Sequence, residues 1–172
     1  MKLLWLVFPL WLFSCQTTPT DDADDLSIAS DDYVVLTQKA LSYQADFDME
    51  AWGGMLADDV VFIPSEGGPA YQKKAVVLAN WSRWRQKNHV SLLQLSQLTH
   101  LPVRSREQLP LMGKAGVYVI SYCLADLQFT DGHTSRQSLH VCCHFDPKKR
   151  IDYYSLYFPA GASADQTISI TQ

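Results

Sequence analysis

His140-Val141-Cys142-Cys143-His144 is the densest run of metal-binding and nucleophilic side chains in this sequence. Alternate residues of a strand share a face, so His140, Cys142 and His144 project together, with about 6.5–7 Å between successive members. Zinc holds such ligands at about 2.0–2.3 Å, so neighbouring pairs could share an ion only by bending together. Zinc signatures draw their ligand pairs from turns instead. No metal is therefore expected, and the run reads as a strand with one polar edge. Asp126 and His140, on adjoining strands, could serve as an acid–base pair, or stand as exposed hairpin residues. Glu66 is a third candidate, a carboxylate carried by a loop.

Two further sets of side chains could matter. Cys123 could form one cross-strand disulfide with Cys142 or Cys143 in an oxidising compartment. Three buried, small apolar side chains are the alternative, and the favoured one. Tyr43, Trp52, Trp81, Trp84, Tyr122 and Tyr154 could line a pocket for a small apolar or aromatic molecule, because such sites are mostly apolar with few polar groups. Aromatics at these spacings also build cores. Asp58 and Asp59 read as residues that orient a corner, and no cofactor is expected.

The elements that must position these residues follow from periodicity. Tyr33, Leu36, Ala40, Tyr43 and Phe47 recur at spacings of three and four, which predicts a first helix with Ser30 as its N-cap. Asp48 caps a second, short helix bearing Trp52, Met55 and Leu56. An Ala57-Asp58-Asp59 corner then turns the chain into a strand, Val60 to Ile63, that Pro64 ends. Ser65 to Pro69 is a loop. A third helix from about Tyr71 to Lys87 carries Val77, Trp81 and Trp84 on one stripe.

Beyond it the period changes. Val90 to Thr99, Val117 to Ala125, Ser135 to Phe145 and Ile151 to Phe158 predict four strands, with Pro102 to Gly113 as a loop and Thr130-Asp131-Gly132-His133 as a hairpin turn. Helices gathered first and antiparallel strands last argue for an α+β fold with the helices on one face of a curved sheet.

The 172 residues are 47% hydrophobic and 12% aromatic, enough for one domain with a sizeable core. The net charge of −4 is unevenly spread, because six of the 18 acidic residues precede Tyr33. From Tyr33 onward 13 Lys and Arg face 12 Asp and Glu, so there is no basic stripe to recognise nucleic acid. Residues 1–14 carry one lysine and then an apolar run too short to span a bilayer, as expected of a signal peptide. Leu12-Phe13-Ser14-Cys15 resembles the lipobox of bacterial lipoproteins. That predicts lipidation of Cys15 and a membrane-anchored protein of the cell envelope, on its periplasmic or surface side. Residues 15–30 read as an acidic flexible tether, residues 31–160 as the domain and 161–172 as a tail.

Asp48-Met49-Glu50-Ala51-Trp52 ahead of Leu56-Ala57-Asp58-Asp59-Val60, the Gly-rich loop before a Trp-bearing third helix, and Lys148-Lys149-Arg150-Ile151 leading to Tyr153-Tyr154 together resemble the nuclear transport factor 2-like (NTF2-like) superfamily, in particular its SnoaL-like and ketosteroid-isomerase-like branches. The resemblance covers residues 31–158. It implies a cone-shaped half-barrel, a curved antiparallel sheet packed against three N-terminal helices that close over an apolar pocket. In the isomerases a general-base aspartate lies about five residues past the corner. Ile63, Pro64 and Ser65 hold that neighbourhood here, with Glu66 the carboxylate nearby. The place of the isomerases' oxyanion-binding tyrosine falls on Ala40, and Tyr43 lies nearly a turn later. The expectation is a small-molecule-binding envelope lipoprotein without the isomerase catalytic residues. The alternatives are an enzyme using Asp126, His140 or Glu66, and a protein-interaction module that forms homodimers.

Overall fold

A computed structural model of the chain describes residues 26–64, 70–108 and 113–157. Cys15, Glu66, the signal segment and the tail lie outside the described residues. The apolar stripe of the first helix winds Asp32–Ala45 into α1, with Thr37, Ala40, Leu41, Gln44 and Ala45 buried. Its cap differs from expectation. Asp31 is the N-cap and makes no side-chain cap bond, while Ser30 Oγ accepts from the Asp32 amide at 3.3 Å. Asp48 does cap α2 (Met49–Met55), its carboxylate accepting from the Ala51 amide at 3.0 Å.

The chain leaves α2 directly into a strand, so there is no Ala-Asp-Asp corner. Taking the strands in chain order, β1 is Leu26–Ile28, β2 is Leu56–Ile63 and β3 is Tyr71–Gln72. Ala57, Asp58 and Asp59 lie inside β2, where its parallel register with the last strand slips between Leu56 and Val61. Extra residues absorbed in a strand this way twist it locally. Ala57 is buried there, and Asp58 turns out to solvent, 2.6 Å from Lys74 Nζ.

The third helix, α3 (Lys74–Lys87), begins three residues later than periodicity predicts, because Tyr71 and Gln72 pair with Phe62 and Val61. Lys73, at φ +74°, redirects the chain between the two, its amide donating to the Val60 carbonyl at 3.0 Å.

The remaining strands are β4 (Val90–Ser105), β5 (Gly116–Phe129), β6 (Thr134–Phe145) and β7 (Ile151–Tyr157). They form one seven-stranded sheet of order β1-β4-β5-β6-β7-β2-β3, antiparallel except for the β2–β7 pair. Two differences from expectation concern β4. It runs past Thr99 to Ser105, through a segment whose proline and arginines read as loop. Pro102 is tolerated because its carbonyl still accepts from the Ala29 amide at 3.0 Å, and proline lacks only the donor. The end of the outer edge of β4, Val103 to Ser105, is covered by Leu26–Ile28, which composition placed in the tether. An edge this long offers unpaired backbone groups, and a short segment distant in sequence satisfies those of Val103, Arg104 and Ser105.

Strand alternation divides the sheet into two faces. Val119, Cys123, Ala125 and Leu127 of β5, Leu139, Val141 and Cys143 of β6, and Tyr154 and Leu156 of β7 join Leu41, Trp52, Val77 and Trp81 of the helices in one core. Burying a side chain such as Leu41 fully contributes about 1.5–3 kcal/mol, so this contact holds helices to sheet. The opposite face carries Tyr118, Tyr122, His140 and His144, with no helix over it among the described residues.

Candidate functional site

The inside of the cone is organised by Gln44, on the last turn of α1. Trp81 Nε1 donates to its backbone carbonyl at 3.1 Å, and the Tyr154 hydroxyl donates to its Oε1. Trp52 sets its ring edge-on to both partners, with centroids 6.1 Å from Trp81 and 6.0 Å from Tyr154. Phe62 stacks on Tyr154 at 5.3 Å, and Trp84 on Trp81 at 4.6 Å. Burial pushes the Tyr154 phenol well above its usual range, against the opposing pull of the Gln44 bond. The phenol therefore stays a neutral donor.

Donors exceed acceptors in this interior. Gln44 Nε2 and Trp52 Nε1 are buried without a hydrogen-bond partner among the described residues. A third such nitrogen is His100 Nε2 on β4. Its Nδ1 lies 2.8 Å from Ser121 Oγ, and burial lowers the pKa of the ring, which keeps it neutral at pH 7. Leaving a buried donor unpaired costs about 1–3 kcal/mol. Beside this interior, a groove of about 640 Å³ is lined by Leu41, Ala45, Leu93 and Leu98, and by Asp46 and Asp126. Leu41 and Ala45 flank Gln44 on α1, so the groove reaches the helix turn that carries Gln44.

The residues singled out from sequence separate into groups. Trp52, Trp81 and Tyr154 come together and are buried, with Trp84 and Tyr43 half-buried against the same core. Tyr122 stands on the other face of the sheet, 51% exposed, between its neighbours in the register and stacked on His140 at 4.7 Å. Asp126 and His140 do not form an acid–base pair. Asp126 faces Arg136 in the register while His140 faces Tyr122, four positions apart, which is about 13 Å along a strand. The Arg136 guanidinium, 2.5 Å away, holds the Asp126 carboxyl below its usual range. His140 is held between the rings of Tyr122 and Tyr157. Where the isomerases keep their base, Ile63 pairs with Ser155, and Glu66 lies outside the described residues.

The cysteines also separate. Cys123 and Cys143 share the inner face, but Cys123 faces Leu139 and Cys143 faces Val119, again about 13 Å apart along the strands. A disulfide needs Cα atoms within about 7 Å. Cys142 points to the opposite face from Cys143, and all three are buried thiols. The residues missed by periodicity are Gln44 and His100. Gln44 could have been found as an amide next to an apolar stripe. His100 lies one residue beyond the strand predicted to end at Thr99, so no local signal placed it on the inner face.

A curved, unclosed sheet with three helices over its concave side and an aromatic interior defines the NTF2-like cone. Solved structures bear this out. A candidate isomerase from Bacillus subtilis superposes with a TM-score of 0.55 at 21% identity, over 73% of this chain and 85% of that one. A candidate polyketide cyclase from Pseudomonas putida gives 0.59 at 14% identity, over 74% and 92%. A protein of ketosteroid isomerase-like fold from Catenulispora acidiphila, solved in complex with trimethylamine, gives 0.57 at 10% identity, over 77% and 96%. No protein-family model and no curated protein sequence matches the chain. The likeness is therefore one of fold.

Proposed function

We propose that this chain is a lipid-anchored protein of the bacterial cell envelope whose NTF2-like domain binds a small apolar or aromatic molecule between α1 and the sheet. The observation that carries the binding reading is the pair of buried donors without a partner among the described residues, Gln44 Nε2 and Trp52 Nε1, inside an aromatic cluster. An apolar interior that holds unpaired donors is matched by an apolar molecule presenting an acceptor. Titrating the full chain with indane and indanone tests it. Tryptophan fluorescence should be quenched and the thermal midpoint raised, since a ligand that binds only the folded state stabilises it. Silence in both readouts with both compounds overturns the reading. The anchor rests on the Leu12-Phe13-Ser14-Cys15 motif. Labelled palmitate should enter the wild-type chain but not Cys15→Ala, and equal labelling of the two would refute it.

A second reading, an interaction module, is favoured by the outer face. Leu101 and Tyr157 are 50% and 45% exposed there, beside Tyr122. Light scattering of the full chain decides it. A dimer that Tyr122→Lys splits supports the module, and a monomer at all concentrations removes it. The enzyme reading loses its geometry for Asp126 and His140, which stand apart.

A further inference from the structure

We infer that His100, with its tautomer set by Ser121, is a hydrogen-bond donor on the inner face of the sheet that grips an oxygen acceptor of the bound molecule. This rests on the binding reading above and adds a contact point and the ligand's polarity to it.

The placement comes from the register. His100 faces Ser121, Ser121 faces Val141, and Val141 faces Leu156. Residues directly opposite one another in a sheet share a face, and Val141 and Leu156 belong to the core. His100 therefore projects toward the helices, on the strand against which α1 packs.

The tautomer follows from hydrogen-bond accounting. Ser121 is fully buried, and the His100 Nδ1 at 2.8 Å is its side chain's partner among the described residues. If Nδ1 carried the proton, the serine hydroxyl would accept, and its own hydrogen would be left without an acceptor among the described residues. If the serine donates, both groups are satisfied, and the ring proton moves to Nε2. That nitrogen is buried and reaches no partner among the described residues.

The three nitrogens without a partner among the described residues on the inside of the cone, on Gln44, Trp52 and His100, are thus donors. The molecule that complements them has an apolar body with oxygen acceptors of the carbonyl or ether kind. Because burial lowers the pKa of His100, the ring is a neutral donor at pH 7, suited to a neutral oxygen.

The measurement is binding of the full chain to indanone and to indane, which match in shape and differ by the carbonyl, in wild type, His100→Phe, His100→Gln and Ser121→Ala. Wild type should prefer indanone by about tenfold, equivalent to ~1.4 kcal/mol. His100→Phe should abolish that preference, and His100→Gln, which restores a donor, should recover part of it. Ser121→Ala should reduce the preference by freeing the tautomer. Long-range proton–nitrogen NMR of the unliganded chain should find the His100 proton on Nε2. A proton on Nδ1, or a preference that survives in both His100→Phe and Ser121→Ala, overturns the inference, as does indane binding with no preference in wild type. Failure of both compounds to bind overturns the binding reading itself and this inference with it.

Discussion

His144 on β6 and Asp152 on β7 are joined on the outer face of the sheet by a hydrogen bond of 2.5 Å between Nδ1 and Oδ1. The other histidine nitrogen faces the Ala115 carbonyl at 3.2 Å, and Lys114 Nζ lies 2.6 Å from Asp152 Oδ2. His144 and Asp152 are only 4% and 8% exposed. The network therefore ties the start of β5 to β6 and β7 in a place where no helix contributes packing among the described residues.

Replacing Asp152 with Asn should cost about 1.5–3 kcal/mol, the usual worth of buried hydrogen bonds to a charged group, measured by urea unfolding at neutral pH. Burial by itself would raise the Asp152 carboxyl, but the bonds from His144 and Lys114 outweigh it and the net pKa is lowered. A lowered carboxyl contributes stability above its unfolded value, lost as pH falls through the folded one. The gap between wild type and Asp152→Asn should thus be present at neutral pH and shrink as the pH falls below about 4. A gap that widens on acidification contradicts this.

Gly116 is required by the same network. Its φ is +138°, and a Cβ at this position would overlap the His144 ring at Nε2. Gly116→Ala should destabilise the fold by about 1–3 kcal/mol through strain and displacement of the imidazole. Unchanged unfolding in urea would mean that the ring has room to move.

The three strand cysteines should resist alkylation in the native protein. Burial pushes the Cys123 and Cys142 thiols up to about 11 and about 12, and Cys143 well above the usual range. The thiolate is the reactive form, so at pH 8 iodoacetamide should label these residues only after unfolding. Rapid labelling in native buffer would show that one of them opens to solvent.

Tyr154→Phe removes the hydroxyl that donates to Gln44 Oε1 and leaves that oxygen buried without its donor, at a cost of about 1–3 kcal/mol. Trp52→Ala, which empties the middle of the aromatic cluster, should cost about 3–5 kcal/mol. Thermal and urea unfolding of both variants rank them, and the reverse order would place the stability in the hydrogen bond rather than in packing.

Asp126→Asn should leave the urea midpoint unchanged. Its partner Arg136 is exposed, and such ion pairs contribute little in water. A pronounced loss would indicate that Asp126 acts through the groove it lines beside α1.

Much of the architecture was legible because its signals are local. The stripe from Tyr33 to Phe47, the Asp48 cap and the β-branched run from Val117 each state their own conformation, and their order implies helices on one face of an antiparallel sheet. Boundaries failed where a distant partner overrode local composition. Ala57-Asp58-Asp59 looks like a turn by itself, yet the parallel neighbour β7 draws it into β2. Leu26–Ile28 looks like tether, yet the open edge of β4 recruits it. Pro102 looks like a breaker, yet only its donor is missing and its carbonyl is used.

The amino-acid sequence alone determined the α+β class, the resemblance to the NTF2-like cone and the supply of aromatics for its interior, since periodicity and capping act within a few residues. Only the tertiary structure decided which side chains meet. Strand register put Cys123 out of reach of Cys143, parted Asp126 from His140, and turned His100 inward onto Ser121. Packing of α1 against β4 and β5, and of α3 against β2, brought Gln44, Trp81 and Tyr154 together across the chain. Register and helix packing are set by contacts between residues far apart in sequence, and a shift of one residue in a strand exchanges its faces. The inward donors that define the candidate site are therefore a property of the assembled sheet and helices.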